Sequence, residues 1–398
     1  MTFQARAGDG LLCVCNFPSN TGFAWDFIES LYAMVADELA PFGVRTVVAY
    51  PRIDGAPRTL EGHAASAVHL PVNYSLSALV KLLRFVRDKR IRAVYLSDRS
   101  VTSPLHVFLR LAGVEHIVVH DHTSGARQPA FGVKRLVKLL LSRFPGLMAD
   151  EVIAVSDYVL RRQVEVALVP SGRAVRVWNG VEVAAVNPTS HAIHDELAVP
   201  HDRQVVVCCC RAHPSKGVAH VLRAFDDLWR RRSEGMRPAL AYVGDGPERQ
   251  RLEQLRTSLA SRRDIHFLGY RTNVSDLLAG ADVCVSASTW QEAFGLAVLE
   301  PMALGRAVVG TRVGGVPEIL LDGETGLLVE PGDESGLSAA IERLLDDPEL
   351  RASLGAAAHA RTRAHFTIQA QVQTLSQIVS AGLSGRRASV HPSGESAG

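Results

Sequence analysis

The chain has 398 residues, 47% of them hydrophobic, which is enough for two domains that each bury a core. It contains no uninterrupted apolar run approaching the ~20 residues of a bilayer-spanning helix, and its first ten residues lack the apolar segment of a signal peptide. We therefore expect a cytoplasmic protein. The net charge of +2 excludes no class of function. The six cysteines show no Cys-x-x-Cys spacing, so we interpret them as buried thiols rather than metal ligands.

The first half of the chain alternates apolar runs with helical patterns. Strands are predicted at residues 11–17, 44–50, 93–96, 117–123 and 151–156, and helices at residues 24–39 and 75–89. Such alternation predicts a parallel sheet covered on both faces. The turn after the first strand contains Gly22 but no Gly-x-Gly-x-x-Gly, which argues against a nicotinamide or flavin enzyme.

The predicted strand at 117–123 ends in two histidines and an aspartate, His120, Asp121 and His122. Ligands of parallel α/β sheets bind outside the carboxyl ends of the strands, so a histidine at this position is well placed for a substrate. The ordinary alternative for a single histidine at this position is a loop residue that is solvated or hydrogen-bonded.

Residues 131–144 have a clear helical face. Apolar residues recur along it with i, i+3, i+4 spacing: Val133, Leu136, Val137, Leu140, Leu141 and Phe144. Basic residues lie off that face: Lys134, Arg135, Lys138 and Arg143. We expect the apolar stripe to pack on the core, as amphipathic helices generally do. A helix with this composition at an anionic membrane surface remains the alternative.

The second half begins after a segment without strong periodicity, residues 186–203, which we interpret as a linker. Residues 205–210 predict a buried strand, and Arg211 and Lys216 follow it on one loop. A guanidinium and an ammonium group five residues apart can converge on a diphosphate. Surface solubility is the ordinary role of such a pair.

A strand at residues 283–286 leads through Gly295 into a helix predicted over residues 294–304. The start of a helix favours a phosphate group. Glu292 lies just before the helix and Glu300 lies within it, so their carboxylates could accept hydrogen bonds from hydroxyl groups on either side of that phosphate. The pattern indicates a site for a sugar joined to a diphosphate, although glutamates near a helix start are common for structural reasons alone.

The whole block from residue 283 to residue 330 resembles the donor-binding half of the retaining GT-B glycosyltransferases, specifically glycosyltransferase family 4. The resemblance depends on Glu292, Phe294, Gly295 and Glu300, on the Gly314-Gly315 turn and on the apolar strand after Gly326. It is strong over residues 204–332 and weaker over residues 1–185. It implies an α/β GT-B fold, with two Rossmann-like domains whose parallel sheets face each other across a cleft. The implied division is an acceptor-side domain at 1–185, a linker at 186–203, a donor domain at 204–365, a C-terminal helix at 366–381 that crosses back to the first domain, and a disordered tail at 382–398.

The resemblance also implies a function: retaining transfer of a sugar from a UDP- or GDP-linked donor to an acceptor hydroxyl, without an obligatory metal or cofactor. The implied catalytic residues are His122, with His120 as the fallback, Glu292, Arg211 and Lys216. The implied donor-binding residues are Gly22, Arg211, Lys216, Leu268, Gly269, Phe294, Gly295, Leu296 and Glu300. The acceptor would be a sugar, a lipid-linked sugar or a small metabolite; no nucleic-acid partner is expected, and peripheral membrane contact through the first domain stays open. The alternatives are a sugar phosphorylase, a nucleotide-sugar epimerase or a catalytically idle relative.

Overall fold

The computed structural model describes residues 9–22, 24–144, 146–183 and 190–386. The chain divides into two units, each built around its own parallel sheet. Unit 1 comprises Met1–Thr123, Arg127–Trp178 and Gln369–Gly398, and unit 2 comprises Ser124–Ala126 and Asn179–Ile368. The prediction of an α/β protein with two parallel sheets is confirmed.

The sheet of unit 1 has the strand order β3-β2-β1-β4-β5-β6-β7, and its neighbouring strands pair in parallel. Its strands are β1 (Gly10–Val14), β2 (Arg45–Tyr50), β3 (Ala65–His69), β4 (Ile91–Ser97), β5 (His116–Asp121), β6 (Glu151–Ala154) and β7 (Ala174–Arg176). The helices along this part of the chain are α1 (Ala24–Leu39), α2 (Leu76–Asp88), α3 (Pro104–Leu111), α4 (Gly132–Arg143) and α5 (Asp157–Arg161). Residues of β1 are buried on both faces because helices cover the sheet from both sides.

Side-chain caps fix where several of these helices begin. The Ser75 hydroxyl accepts the backbone N–H of Ala78 at the start of α2, and Ser156 accepts that of Val159 at the start of α5. Ser103 caps α3, whose first residue is Pro104. Each cap satisfies an N–H group that has no partner within the helix, so these starts follow directly from the sequence.

Helix α4 contradicts the prediction that its apolar stripe packs on the core. Its described apolar residues from Val133 to Leu141 are largely exposed, except for Leu139, and the only buried residue that the structure describes in it is Ser142. The side turned toward the protein carries Lys138, whose Nζ donates to the backbone oxygen of Val166 at 2.6 Å. The pattern gave the correct helix but the wrong direction for its apolar face, because periodicity identifies a stripe and not what covers it.

The sheet of unit 2 has the order β10-β9-β8-β11-β12-β13, again with parallel pairs. Its strands are β8 (Val205–Cys209), β9 (Ala239–Val243), β10 (Ile265–Gly269), β11 (Val283–Ser286), β12 (Ala307–Thr311) and β13 (Leu327–Val329). The helices are α6 (Ala192–Leu197), α7 (Val218–Arg231), α8 (Arg249–Ser258), α9 (Val274–Ala279), α10 (Leu296–Ala303), α11 (Val316–Ile319), α12 (Glu334–Asp346) and α13 (Pro348–His365). A core of Val, Leu, Ile and Phe side chains from α7, α12 and the strands fills one face.

The chain segments on either side of unit 2 are the expected linker and the expected C-terminal helix. Part of the expected linker, residues 186–189, lies outside the described residues, and the remainder contains α6, whose Ile193 and Leu197 are buried. The last helix, α14 (Ile368–Leu383), belongs to unit 1 from Gln369 onward. Gly382 of α14 is packed so tightly against the His116 ring that a Cβ there would collide with it. Of the expected tail, residues 387–398 also lie outside the described residues.

None of the described helices combines the length and the apolar character that crossing a lipid bilayer requires.

Candidate functional site

The candidate site of unit 2 lies where the strand order reverses. Strands β8 and β11 are neighbours in the sheet, and the strands that follow each of them in sequence are added outward on opposite sides. The loops that follow β8 and β11 therefore begin at the same edge of the sheet. Parallel α/β sheets bind ligands in the crevice outside such a pair of strand ends. The two loops touch, because the Thr289 N–H donates to the backbone oxygen of Ser215 at 2.9 Å. Gly217 has a φ of +66°, and a Cβ there would collide with the Ala287 carbonyl oxygen.

An ion pair joins the two loops. Lys216 Nζ lies 2.5 Å from Glu292 Oε1, and Ser288 Oγ donates to the same oxygen at 2.5 Å. Glu292 is only 8% exposed. A buried carboxylate requires a cation or several hydrogen-bond donors to offset its lost hydration. The structure therefore brings together two of the residues expected to be catalytic, Lys216 and Glu292.

The backbone around Glu292 is held as tightly as its side chain. The Gly315 N–H donates to the Glu292 backbone oxygen at 3.0 Å, and the Gly314 N–H donates to Gln291 Oε1 at 2.6 Å. Gly314 has a φ of +52°, and a Cβ there would collide with the Glu292 backbone. On the other side, Ser124 Oγ accepts the Ala293 N–H at 3.2 Å and lies 3.4 Å from Glu292 Oε2. The Gly314-Gly315 turn thus fixes where the carboxylate points.

Helix α10 begins immediately after this loop. Gly295 is its N-cap residue, with a φ of +127°, and Leu296 is its first residue. Phe294 is 2% exposed and packs edge-to-face on Phe366 at 5.9 Å between ring centroids. The N–H groups of Val298 and Leu299 donate to the Gly295 backbone oxygen, whereas those of Leu296 and Ala297 have no acceptor within the helix and lie at the positive end of its dipole. This geometry provides a place for an anion beside Glu292.

Glu300 lies on α10, one turn beyond its start. Burial raises the pKa of its carboxyl group to about 7. The same carboxyl contributes to the raised pKa of the Cys209 thiol, after burial as the main cause, which places it near the end of β8. A glutamate with this pKa gains or loses its charge close to neutral pH, so a ligand hydroxyl that hydrogen-bonds to it can decide its protonation state.

The remaining residues expected in unit 2 lie at the ends of β8 and β10. Arg211 follows β8 and is half-buried, and the loop is anchored at the next residue, where the Ala212 N–H donates to the backbone oxygen of Asp245 at 2.9 Å. Leu268 and Gly269 end β10, and the Gly269 oxygen accepts the Gly244 N–H at 2.8 Å. These residues share the carboxyl edge of the sheet with Lys216 and Glu292.

In unit 1 the two histidines of β5 and its end have different environments. His120 is fully buried within the strand, and its Nδ1 lies 2.7 Å from the Tyr95 hydroxyl. His122 follows the strand and is half-buried, and its backbone N–H donates to Asp98 Oδ1 at 2.7 Å. Burial lowers the pKa of His122, although Asp98 and Asp121 oppose that effect. Among the described residues, Nε2 of both histidines has no hydrogen-bond partner. His122 is the one that lies beyond the strand end, where ligands of parallel sheets bind, and that position favours it for contact with a substrate.

Asp121, next to His122, is bonded to several neighbouring side chains. Arg162 Nη2 lies 2.8 Å from Asp121 Oδ2, both groups are buried, and the Gln163 amide also donates to that oxygen. Burial alone would raise the pKa of Asp121, but Arg162 and the Thr123 hydrogen bonds outweigh burial and lower it. Gly22, also in unit 1, has a φ of +81° and donates its N–H to Asp26 Oδ1 at 3.0 Å, so it shapes the start of α1.

A cavity of about 390 Å³ lies within unit 1 beside the ends of β4 and β5. Three cationic side chains line it, Arg99, Arg127 and Lys138, together with Asp98, Asp121 and Thr123. Arg127 Nη2 donates to Thr123 Oγ1 at 2.8 Å, and burial together with the nearby Arg127 lowers the pKa of Lys138. The local excess of positive charge favours a negatively charged ligand group.

Sequence patterns missed the residues that hold the site together. The Ser288 and Ser124 hydroxyls donate to the Glu292 carboxylate, and the Gln291 side chain accepts the Gly314 N–H. Thr311 Oγ1 donates to the Ser288 backbone oxygen at 2.7 Å. A partial signal was present, because Ser288 and Thr311 end or follow apolar strands at the ligand edge of the sheet. Ser124 lies 168 positions from Glu292, and no local pattern connects them. Among the described residues, no group of three or more His, Cys, Asp or Glu side chains could hold a metal ion.

Comparison with known proteins gives a family match over residues 190–361, to the model described as glycosyl transferases group 1. A GDP-mannose-dependent alpha-(1-6)-phosphatidylinositol monomannoside mannosyltransferase of Mycolicibacterium smegmatis is 29% identical over 87% of this chain and 92% of its own length. An N-acetyl-alpha-D-glucosaminyl L-malate synthase of Bacillus anthracis is 32% identical over 54% of this chain. That match spans about half, 55%, of the relative's length.

The fold also matches solved structures. An Anabaena protein in complex with UDP and glucose has a TM-score of 0.74 at 21% identity, covering 94% of this chain and 100% of that one. At this identity the match shows the fold alone, which is the GT-B fold. The fold prediction is therefore confirmed by comparison as well as by topology.

Proposed function

We propose that this chain, whose residues 190–361 match the model described as glycosyl transferases group 1, is a retaining glycosyltransferase of that family. It moves a sugar from a nucleotide diphosphate sugar, UDP- or GDP-linked, to a hydroxyl group of an acceptor. The observation that supports this most directly is the ion pair of Lys216 with the buried Glu292, at the reversal of the strand order and beside the start of α10. A cation, a helix N-terminus and a carboxylate together match a diphosphate linked to a sugar.

In the proposed donor complex, the diphosphate takes over Lys216 as its cation, with Arg211 and the first-turn N–H groups of α10 as further donors. The Glu292 carboxylate is then released from Lys216 and accepts hydrogen bonds from hydroxyl groups of the sugar. The Ser288 hydroxyl continues to orient the Glu292 side chain. The Glu300 carboxylate accepts hydrogen bonds from the ribose hydroxyls, and these hydrogen bonds favour its charged form. Backbone groups of Leu268 and Gly269 contact the base of the nucleotide. Phe294 and Leu296 shape the start of α10.

Catalysis in this proposal comes mainly from charge. Negative charge grows on the departing diphosphate, and preorganised cations and N–H groups stabilise that charge more in the transition state than in the ground state. Retention of configuration follows when the leaving phosphate oxygen accepts the proton of the acceptor hydroxyl on the face from which it departs. From unit 1, His122 would donate or accept a hydrogen bond with a substrate hydroxyl through Nε2, and the Gly22 turn keeps its expected role near phosphate.

The cavity of unit 1 indicates the class of acceptor. Arg99, Arg127 and Lys138 line it and exceed the two lining aspartates, Asp98 and Asp121, by one charge. We therefore propose an acceptor that carries a carboxylate or phosphate group besides its reacting hydroxyl. The relatives support this choice, because one is named for L-malate, which is an acid, and the other for a phosphatidylinositol derivative, which contains a phosphate.

Two other functions use the same donor residues. A sugar phosphorylase or a nucleotide-sugar epimerase would turn over without an acceptor alcohol, and an idle relative would bind donor without any turnover. The intact set of Lys216, Glu292, Arg211 and Glu300 supports the transferase over the idle relative.

The first test is thermal unfolding of the purified chain with UDP-, GDP-, ADP- and dTDP-linked sugars. A ligand that binds the native state raises its stability by mass action, by about 2.7 kcal/mol at a hundredfold excess over Kd. We expect a rise in Tm with the sugars of one base only. In Glu292→Gln the rise should be smaller, while in Glu324→Gln, a surface change, it should equal that of the wild type.

The donor that raises Tm is then assayed with and without acceptors bearing an acid group, and the anomeric configuration of the product is read by NMR. Transfer with retention supports the proposal. Turnover with inorganic phosphate in place of an acceptor would identify a phosphorylase, epimerised donor would identify an epimerase, and binding without turnover would identify an idle relative. Absence of a rise in Tm with all four donor classes would contradict the donor site itself.

A further inference from the structure

Trp290 differs from the other three tryptophans of the chain. Trp25 packs against Phe17. An arginine guanidinium lies over the ring of Trp178 and another over that of Trp229, each at 3.8 Å from the centroid. The indole of Trp290 is 54% exposed, and among the described residues it has no hydrogen-bonding, aromatic or cationic partner. Tryptophan combines a large apolar surface with one N–H donor and is frequent in interaction sites, so an indole left open in this way is available to a ligand.

Trp290 is held in place although it is exposed. A Cβ at Gly125 would lie 2.6 Å from Nε1 of Trp290 and 2.9 Å from its Cζ2, so this glycine leaves room for the indole. The Gly125 N–H donates to the Gln291 backbone oxygen at 2.7 Å. On the other side of Trp290, the Thr289 N–H donates to the Ser215 backbone oxygen at 2.9 Å. Because the loop is already fixed, the ring needs little further ordering when a ligand binds.

The indole lies beside the carboxylate that we propose to bind the transferred sugar. Glu292 follows Trp290 by two positions, and Ser124, the neighbour of Gly125, donates its hydroxyl to Glu292 Oε2 at 3.4 Å. Two successive residues therefore contact the carboxylate and the indole. A sugar ring has hydroxyl groups at its rim, which donate to a carboxylate, and C–H groups on its faces, which the negatively charged face of an aromatic ring attracts. The indole and the carboxylate together match both surfaces of a sugar.

The nucleobase of the donor is too far away to be the group at Trp290. The proposed base-binding residues, Leu268 and Gly269, end β10, whereas Trp290 follows β11. Strands β9 and β8 lie between β10 and β11, so the two strand ends are separated by about 14 Å at the usual strand spacing. The sugar bound by Glu292 is thus the part of the donor nearest to the indole.

We propose that Trp290 is a sugar-binding residue, whose indole stacks on a C–H face of the sugar carried by the donor while Glu292 accepts hydrogen bonds from its hydroxyl groups. This inference rests on the proposed function and deepens it, because it names the part of the donor that Trp290 recognises. The nucleotide alone does not use this contact.

The first measurement is acrylamide quenching of tryptophan fluorescence in the wild type and in Trp290→Phe, since the difference between them is the signal of Trp290. It is made with a nucleotide sugar of the base that raises Tm and with its nucleoside diphosphate alone, which for uracil are UDP-glucose and UDP. We expect UDP-glucose to shield Trp290 from acrylamide and UDP to leave it accessible, because only UDP-glucose carries the sugar ring.

The second measurement is the Kd of both ligands by calorimetry. Trp290→Ala should weaken the binding of UDP-glucose by about fivefold to tenfold, which is the size of an aromatic contact, and should leave the Kd of UDP unchanged. Trp290→Phe keeps a smaller aromatic ring and should lose about twofold. Met236→Ala, at an apolar residue of unit 2 that is 62% exposed, is the matched control and should bind both ligands like the wild type.

Equal losses for UDP and UDP-glucose in Trp290→Ala would overturn the proposal, because the indole would then only support the loop. An unchanged Kd of UDP-glucose would also overturn it. Shielding that appears only after an acceptor is added would assign the indole to the acceptor instead. In these three cases the rise in Tm with the donor would remain, and the proposed function with it. Absence of that rise with every donor would contradict the donor site itself, and this inference would fall with it.

Discussion

Replacement of Glu300 by glutamine should change how the stability of the protein depends on pH. The carboxyl pKa rises from its ordinary value of 4.5 to about 7 on folding, because the group is buried. Between these values the folded chain binds more protons than the unfolded chain, so stability is greatest at the acidic end and falls as pH rises to about 7. At about 1.4 kcal/mol for each pKa unit, ionisation of Glu300 costs the folded state roughly 3 kcal/mol. Glutamine stays neutral and avoids this cost.

The assay is urea unfolding of the wild type and Glu300→Gln at about pH 5 and about pH 8, with the free energy of unfolding extrapolated to water. Relative to the wild type, the variant should gain roughly 2–3 kcal/mol on going from the lower to the higher pH. Taking the difference between the two proteins removes the contributions of other titrating groups. Glu324→Gln, at an exposed turn, is the control and should track the wild type at both pH values.

Donor binding extends this prediction to the proposed role of Glu300. Hydrogen bonds from ribose hydroxyls stabilise the carboxylate, so donor affinity should rise with pH through about 7 in the wild type and stay flat in Glu300→Gln. A variant whose stability relative to the wild type is independent of pH would refute the argument that burial controls this carboxyl. A pH-dependent stability combined with unchanged donor affinity would keep the burial argument and remove Glu300 from the ribose site.

The Lys216–Glu292 pair should behave as a coupled unit: Lys216→Met alone should lower the free energy of unfolding by about 1–3 kcal/mol, because Glu292 keeps its buried charge without its cation. Adding Glu292→Gln should restore much of that loss in urea unfolding, and additive losses would contradict the coupling, although both variants should lose transfer activity. Gly217→Ala should destabilise the protein by more than Gly323→Ala, since both glycines have positive φ but only the first would collide with the Ala287 carbonyl. Equal losses of about 1–2 kcal/mol would mean that φ strain alone decides.

The parallel sheets could be predicted because buried strands form short apolar runs of characteristic length. Strand β11 agrees to the residue with its predicted range of 283–286, and α1 with its range of 24–39. Helix α13, Pro348–His365, was missed because alanine and arginine occupy half of its 18 residues and leave only a weak apolar stripe. It is held by tertiary packing, for example where Gly355 approaches the Gly305 carbonyl oxygen so closely that a Cβ would collide. No periodicity in the sequence signals such an approach.

In the site, likewise, some residues could be predicted from the sequence but their contacts could not. Lys216 and Glu292 were recognisable from their positions after two strands, but their direct ion pair was not, because it depends on the β8–β11 neighbourhood rather than on spacing. The different environments of His120 and His122 could not be predicted either. Alternation along a strand leaves both residues on one face, and only their burial and partners distinguish the core residue from the one at the strand end.

Helix α4 shows why the direction of an amphipathic helix is harder to predict than its existence. A sequence pattern defines the angle between apolar and polar residues around the helix axis, and it is the same whether the apolar side meets a core or a membrane. The information that distinguishes the two lies in the polar side. In α4 the side turned toward the protein carries Lys138, whose Nζ donates to the Val166 backbone oxygen, and Ser142, whose hydroxyl donates to the Leu139 backbone oxygen within the helix. The Lys138 contact depends on where the chain places Val166, and no spacing in the sequence predicts it.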